Sequence, residues 1–178
     1  MVSPSTSSGP TPFELLGLPP RFDVDAAALE RAYFERSKEL HADRFATAPA
    51  SERVAALSRS RALNDAYQLL RREASRAEYL LARAGVTIGP NERVDPSLLM
   101  EFLEERETLA EARVAGRTAE VEALQTKMRQ RRRTALDHVR ALFAENPPKL
   151  DDIKAQLILL RYVERYLEEC DAALDDDA

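Results

Sequence analysis

The sequence predicts an all-α protein, and three of its features favour this fold class. Ala, Leu, Glu and Arg, which form helices readily, are abundant, whereas only five of the 178 residues are Gly. Apolar residues recur at intervals of three and four positions, which places them on one face of a helix. No segment alternates apolar and polar residues as a half-buried strand does. Because aromatic residues make up 6% and Trp is absent, the core must consist mainly of Leu, Ala and Val.

The N-terminal part begins with a low-complexity tail. Residues 1–11 are rich in Ser, Pro and Thr, a composition typical of a disordered segment. Residues 13–20 then predict a single helical turn that Gly and Pro stop. Asp23 or Asp25 can cap the next helix, which is expected to end near Leu40.

Two more helices complete this part. Ser51 is the expected N-cap of a helix that continues through Arg72. One buried stripe on that helix comprises Leu63, Ala66, Tyr67 and Leu70. A shorter helix closed by Gly85 repeats the spacing at Ala77, Leu80, Leu81 and Ala84. The expected arrangement is a short helix, an antiparallel helix pair and a fourth helix.

The C-terminal part predicts a separate up-down-up bundle of three helices. Asp95-Pro96 combines an N-cap with Pro at the first helical position, and Gly116 permits a left-handed exit from that helix. Thr118 is expected to cap the second helix, whose apolar seam is Val121, Leu124, Met128, Ala135, Val139 and Leu142. Asp151 opens the last helix, which carries Ile153, Leu157, Leu160, Val163 and Leu167 on one face.

Composition argues against several classes of protein. A net charge of -5 does not favour nucleic-acid or membrane binding, and no apolar run is long enough to span a bilayer. The N-terminus lacks the basic and apolar regions of a secretory signal. Cys170 is the single cysteine, which excludes an internal disulfide framework and fits a reducing compartment. We therefore expect a soluble, cytoplasmic protein.

Enzymatic activity is not expected. The chain has two His, no Gly-rich phosphate loop and no nucleophile–base spacing of a known kind. The Glu-x-x-His spacing of di-iron bundles never occurs, so we expect neither a bound metal nor a cofactor. His138 and Cys170 stand without partners at ligand spacing, and packing is the better interpretation for both.

The segment from Leu40 to Phe45 is the first candidate for a functional site. It interrupts two helical patterns and presents His41, Asp43 and Arg44 within four residues. Taken alone, such a segment is best interpreted as an ordinary polar connection between helices.

Four segments together indicate a family. They are Phe13-Glu14-Leu15-Leu16-Gly17-Leu18-Pro19, Leu40-His41-Ala42-Asp43-Arg44-Phe45, Asn64-Asp65-Ala66-Tyr67-Gln68-Leu69-Leu70 and Arg76-Ala77-Glu78-Tyr79-Leu80-Leu81. These segments resemble J-domains, and with the three-helix tail the chain is similar to the HscB family of co-chaperones over residues 12–172. The resemblance implies a J-domain at 12–85, a linker at 86–95 and a scaffold-binding bundle at 96–174.

The resemblance also implies a chaperone contact. The partner would be a DnaK-type chaperone such as HscA, whose ATPase activity J-domains stimulate, and the contact residues would be Arg36, Lys38, His41, Ala42, Asp43 and Arg44. For the basic residues, a solvated helix face is the alternative. The family has Pro where this chain has Ala42, and loss of the fixed φ is expected to cost about 0.4–1 kcal/mol and to lower stimulation a few-fold.

The helix after Pro96 carries a second candidate surface. Its inner side has Leu98, Phe102, Leu109 and Ala112, with the carboxylate of Glu105 misplaced among them. Its opposite side has Met100, Leu103, Glu104, Glu107 and Glu111, with Leu99 at the border. On the last helix, Ile158 and Tyr162 are expected to point away from the apolar stripe. This pattern indicates a partner surface, although a second contact within the protein could also bury these residues.

In the HscB family, this surface binds an IscU-type scaffold on which iron–sulfur clusters are built. The positions that match are Leu99, Met100, Leu103, Glu104, Glu107, Glu111 and Tyr162.

A third candidate, the basic run 127–133, could indicate nucleic-acid binding, but a solvated bundle face fits better. The expected function is that of a non-enzymatic adaptor that delivers the scaffold to the chaperone. A J-like protein with weak or no ATPase stimulation, serving another client, is the alternative.

Overall fold

The computed structural model describes residues 9–45 and 47–175, apart from the side chains of Ala42 and Asp43. All regular elements in these residues are helical, which confirms the predicted fold class. The helices are α1 (Pro12–Leu16), α2 (Ala26–Glu39), α3 (Ala50–Arg71), α4 (Glu73–Arg83), α5 (Pro96–Val114), α6 (Thr118–Ala144) and α7 (Leu150–Asp175), with a short 3₁₀ helix at Ala42–Phe45 between α2 and α3.

The chain forms two compact units, Met1–Leu80 and Leu81–Ala178. The division falls within α4, slightly before the end of the expected J-domain at residue 85. The proposed boundaries 12–85, 86–95 and 96–174 stay a prediction about folding units. Most of the expected disordered tail, residues 1–8, lies outside the described residues.

In the first unit, α1 is held at both ends. The backbone N–H of Thr11 donates to Glu14 Oε2 at 2.7 Å, and the Glu14 N–H donates to Thr11 Oγ1 at 3.3 Å, which is a capping box. Gly17 ends the helix with φ +66°, the left-handed conformation that favours glycine. Asp25, rather than Asp23, caps α2, because its Oδ1 accepts the Ala27 N–H at 2.9 Å.

An antiparallel hairpin of α2 and α3 forms the centre of this unit. Tyr33 of α2 stacks on Tyr67 of α3 with ring centroids 4.3 Å apart, and its hydroxyl donates to Asn64 Oδ1 at 2.6 Å. The core beneath comprises Phe13, Leu16, Leu29, Leu63, Ala66 and Leu70. The prediction that Ser51 caps α3 is wrong: the Pro49 carbonyl accepts the first helical N–H groups, so Ser51 lies inside the first turn.

The buried Arg76 joins the end of α3 to α4. Its guanidinium donates to the backbone carbonyl of Leu70 and lies 5.2 Å from the ring centroid of Phe22. Ala77 and Leu81 are buried as expected. The expectation for Ala84 is wrong, because α4 ends at Arg83 and leaves Ala84 exposed beside the left-handed Gly85.

In the second unit, α5, α6 and α7 form the expected up-down-up bundle. The most extensive helix–helix contact is between α6 and α7, and α5 packs against both. The inner residues include Phe102, Leu109, Ala112, Val121, Met128, Val163, Tyr166 and Cys170. Asp95 caps α5 by accepting the Ser97 N–H at 2.9 Å. Thr118 is the first residue of α6 instead of its cap, because the Arg117 carbonyl accepts the N–H groups of Glu120 and Val121.

We expect Arg76→Met to lower the free energy of unfolding of the first unit by about 1–3 kcal/mol. The substitution removes the donor to the Leu70 carbonyl but keeps most of the buried volume. Arg72→Met, at an exposed position, is the matched control. Urea unfolding followed by circular dichroism measures both, and equal midpoints for the two variants would contradict a bridging role of Arg76.

Candidate functional site

Backbone hydrogen bonds hold the corner between α2 and α3. The N–H of Leu40 donates to the Ser37 carbonyl at 3.2 Å, and the N–H of Arg44 donates to the His41 carbonyl at 3.0 Å. His41 and Arg44 are exposed, while Leu40 and Phe45 are half-buried. The predicted contacts of Ala42 and Asp43 fall on side chains outside the described part of the structure. The described corner is thus an ordered turn with an imidazole and a guanidinium facing solvent.

A groove of about 540 Å³ adjoins this corner, between α2 and α3. Its apolar lining includes Leu40, Phe45 and Leu57, and its polar lining includes Lys38 and His41. Leu57 is largely exposed, as is Val54 one turn earlier on α3. The sequence analysis did not identify either residue. Helical spacing could have found them, because at 100° per residue Leu57 lies about 120° and Val54 about 180° around the helix from Leu63 in the buried stripe.

The predicted basic residues of α2 occupy two different places. Lys38 lines the groove beside His41. Arg36 instead lies across the end of α1, where its Nη2 atom is 2.6 Å from the position that a Cβ on Gly17 would occupy. The structure therefore brings Lys38 and His41 together at the groove, and it places Arg36 against α1.

The second candidate surface is on α5, and its two faces have the character that the sequence indicates. Phe102, Leu109 and Ala112 are buried, and Leu98 packs against them. On the opposite side Met100 is 56% and Leu103 50% exposed. Leu99 is half-buried at the border, and three carboxylates beside this pair are exposed: Glu104, Glu107 and Glu111. An exposed apolar pair with a row of carboxylates can bind another protein.

On α7 the outcome differs from the expectation. Ile158 is only 7% exposed, so the prediction that it points away from the core is wrong. Tyr162 is half-buried and packs on the core, with its ring centroid 5.5 Å from that of Phe102. α5 and α6 both contact α7, so residues beyond its main apolar stripe can also be buried. Tyr162 thus borders the α5 surface.

The basic run on α6 is largely engaged in ion pairs with neighbouring helices. Lys127 Nζ lies 2.7 Å from Glu105 Oε1. Arg131 Nη2 lies 3.2 Å from Glu101 Oε2, and Arg131 Nη1 lies 3.5 Å from Glu105 Oε2. The expectation of a simply solvated face is wrong for Arg131, which is half-buried with its guanidinium 4.5 Å from the Phe102 ring centroid. These contacts leave less positive charge available for a nucleic acid.

The described residues show no group of three or more His, Cys, Asp or Glu side chains arranged to hold a metal ion. Cys170 is fully buried, as the packing interpretation requires, and burial raises the pKa of its thiol to about 11. His138 is exposed. Among the described helices, none combines the length and apolar character needed to cross a membrane.

Similarity to known proteins identifies the family. Residues 94–171 match the model of the HSCB C-terminal oligomerisation domain. The Co-chaperone protein HscB homolog of Azoarcus sp. (strain BH72) is 37% identical over 171 residues, which cover 92% of this chain and 93% of that protein.

Solved structures show the same similarity. Chaperone HscB from Vibrio cholerae has a TM-score of 0.85 and 30% identity, covering 95% of this chain and 100% of that one. Human co-chaperone protein HscB has a TM-score of 0.83 and 25% identity, with coverages of 97% and 85%. The fold is that of a J-domain followed by a C-terminal helical bundle. The chain belongs to the HscB family of co-chaperones.

We expect Gly17→Ala to destabilise the first unit by about 1–2 kcal/mol, the penalty for a left-handed backbone at a residue with a Cβ. The added Cβ would meet the Arg36 guanidinium, but this is the end of an exposed, flexible side chain that can move aside. Gly116→Ala is the matched control, because Gly116 has a similar φ of +62° and no atom within 4 Å of the added Cβ. Thermal unfolding measures each variant. The two single variants should cost about the same, and a clearly larger cost for Gly17→Ala that disappears when Arg36→Ala is added would contradict this expectation.

Proposed function

We propose that this protein is a co-chaperone of iron–sulfur cluster assembly. Its C-terminal bundle binds a scaffold protein of the IscU type, and its J-domain presents that scaffold to a DnaK- or HscA-type chaperone and stimulates ATP hydrolysis. Membership of the HscB family supports this role. The observation that carries it is the exposed pair Met100 and Leu103 on a helix whose opposite face is core.

At the chaperone end, the corner supplies charge and shape. A carboxylate such as that of Asp43 can form a charge-assisted hydrogen bond with an arginine of the partner. Arg36, Lys38 and Arg44 are exposed and can steer the encounter with an acidic surface. His41 and Lys38 line the adjoining groove, whose apolar floor offers a place for an apolar side chain of the chaperone.

At the scaffold end, apolar and acidic residues have separate tasks. Leu99, Met100 and Leu103, with the edge of Tyr162, would supply affinity through burial of apolar surface. The exposed carboxylates of Glu104, Glu107 and Glu111 would set the orientation and discriminate against acidic partners.

The mechanism is proximity combined with allosteric stimulation. Binding both partners raises the effective concentration of the scaffold at the chaperone. The hydrolysis is the chaperone's own reaction, and this chain contributes only the difference in its affinity for the two chaperone states. No cofactor enters this mechanism.

The alternative is a J-like adaptor that stimulates ATP hydrolysis weakly or not at all and serves another client. The observation that favours it is Ala42, because Pro fixes φ at this position in the family and Ala does not. The two functions share one fold and differ in the response of the chaperone.

We expect the protein to stimulate chaperone ATPase activity and Ala42→Pro to raise that stimulation about two- to fivefold, which corresponds to 0.4–1 kcal/mol of loop ordering. Steady-state phosphate release with DnaK or HscA, with and without scaffold, measures the effect. Asp43→Asn, made in both backgrounds, should abolish stimulation and serves as the control. If neither background stimulates hydrolysis, the chaperone-activating role is lost and the adaptor alternative remains.

We expect Met100→Ala and Leu103→Ala each to weaken scaffold binding by about 1–2 kcal/mol, as truncation of a central apolar contact does. Isothermal titration calorimetry with an IscU-type scaffold measures the change. Val114→Ala is the matched control, because Val114 is an apolar residue of the same helix that is 90% exposed and outside the proposed surface. Equal affinities for all three variants would rule out the α5 surface as the scaffold site.

A further inference from the structure

The inner side of α5 carries Leu98, Phe102, Glu105, Leu109 and Ala112, of which Leu98 and Glu105 are partly buried and the other three buried. The next position after each of these forms a second row along the helix. It is apolar at three of its five positions and has arginine at the other two: Leu99, Leu103, Arg106, Ala110 and Arg113. One residue corresponds to a rotation of about 100° around the helix axis. A rotation of that size would bury Leu103, which belongs to the proposed scaffold surface.

Side-chain size favours the observed orientation of α5 over the rotated one, because the row that is buried now contains the bulkier side chains. Charge also favours the observed orientation. Glu105 faces α6, where Lys127 and Arg131 lie 2.7 Å and 3.5 Å from its carboxylate oxygens. After a one-residue rotation, Arg106 would face the same two cations. Like charges at this distance repel, and the Glu105 side chain is only 13% exposed, so solvent screens the interaction incompletely.

Contacts with α7 favour the same orientation. Arg106 pairs with Glu169, with its Nε atom donating to Oε2 at 2.9 Å. The Tyr166 hydroxyl donates to the backbone carbonyl of Glu105 at 2.7 Å. Burial raises the pKa of this hydroxyl further above its ordinary value, which favours the neutral form that donates. Rotation of α5 would break both contacts.

We propose that Glu105, through Lys127 and Arg131, is a positioning residue that selects which face of α5 is exposed. It keeps Leu103 in solvent and thereby maintains the scaffold-binding surface. The effect on scaffold binding rests on the proposed function. Which face of α5 is exposed can be measured without any scaffold.

The first experiment reverses the two charges on α6 with Lys127→Glu and Arg131→Glu. A Leu103→Cys substitution reports exposure through its rate of labelling by a soluble thiol reagent, because the native Cys170 is fully buried. We expect labelling of this reporter to slow about threefold if the outward orientation falls to one third of the population. Ala123→Cys, an exposed position on α6, is the control whose labelling rate should not change.

The second measurement is the affinity for the scaffold of the charge-reversed protein that keeps the native Leu103. Because only the outward orientation binds, the Kd should rise by the same factor by which labelling slows, about threefold. Adding Glu105→Lys to the reversed α6 restores opposite charges at this contact and should restore both readouts. A purely destabilising effect would not link the two factors in this way.

The outcomes separate this inference from the proposed function. Unchanged labelling of the reporter in the charge-reversed protein would overturn the positioning role, whatever happens to scaffold binding. Slower labelling in a protein that never binds the scaffold would support face selection and refute the scaffold role. If charge reversal prevents folding, the neutral pair Lys127→Gln and Arg131→Gln decides: slower labelling supports the inference, and an unchanged rate overturns it.

Discussion

The contact between α6 and α7 is the constraint on which the C-terminal unit depends. These two helices, of 27 and 26 residues, bury Met128, Val139, Ile153 and Leu157 almost completely against their neighbours. A third helix that rests on such a pair can bury only one stripe of its surface. α5 carries more apolar residues than that stripe needs, and the excess remains exposed. The exposed apolar residues of α5 are thus those that the geometry of the bundle leaves outside its buried stripe.

In the first unit, helix packing must also accommodate a reversal of the chain between α2 and α3. Its two main helices run antiparallel, and aromatic stacking of Tyr33 on Tyr67 fixes their register. The chain must reverse direction between them, and backbone groups in a turn require partners or water. The short 3₁₀ helix satisfies part of this demand and leaves His41 and Arg44 exposed. Charged side chains can therefore occupy the corner without the desolvation cost that they would incur in the core.

Periodicity in the sequence was sufficient to predict all the main helices, because each buries at least one stripe of apolar residues. It was insufficient for residues whose environment depends on distant segments. Ile158 is buried although it lies off the main apolar stripe of α7, and spacing along one helix cannot reveal what covers its other faces. Caps with a carboxylate before an apolar run, such as Asp25 and Asp95, were predictable from local chemistry. Ser51 and Thr118 were not caps, because a preceding backbone carbonyl opened each helix instead.

The candidate surfaces were predictable where they depend on spacing along one helix, and were not predictable where they depend on contacts between helices. The outward position of Met100 follows from helical spacing alone. The ion pairs of Glu105 join residues more than twenty positions apart, so the sequence showed only a misplaced carboxylate. Resemblance to a family identified the corner as a candidate, whereas the adjoining groove depends on how α2 and α3 pack and became visible only in three dimensions.

The burial of Cys170 has a consequence for the reactivity of its thiol. A thiolate is both the nucleophile in thiol exchange and the ligand that iron prefers, and a thiol with a pKa near 11 is almost entirely protonated at neutral pH. Because the side chain is also fully buried in the bundle, its sulfur is inaccessible to a metal ion or to another thiol in the folded protein. The single cysteine of this chain is therefore unreactive as long as the bundle stays folded.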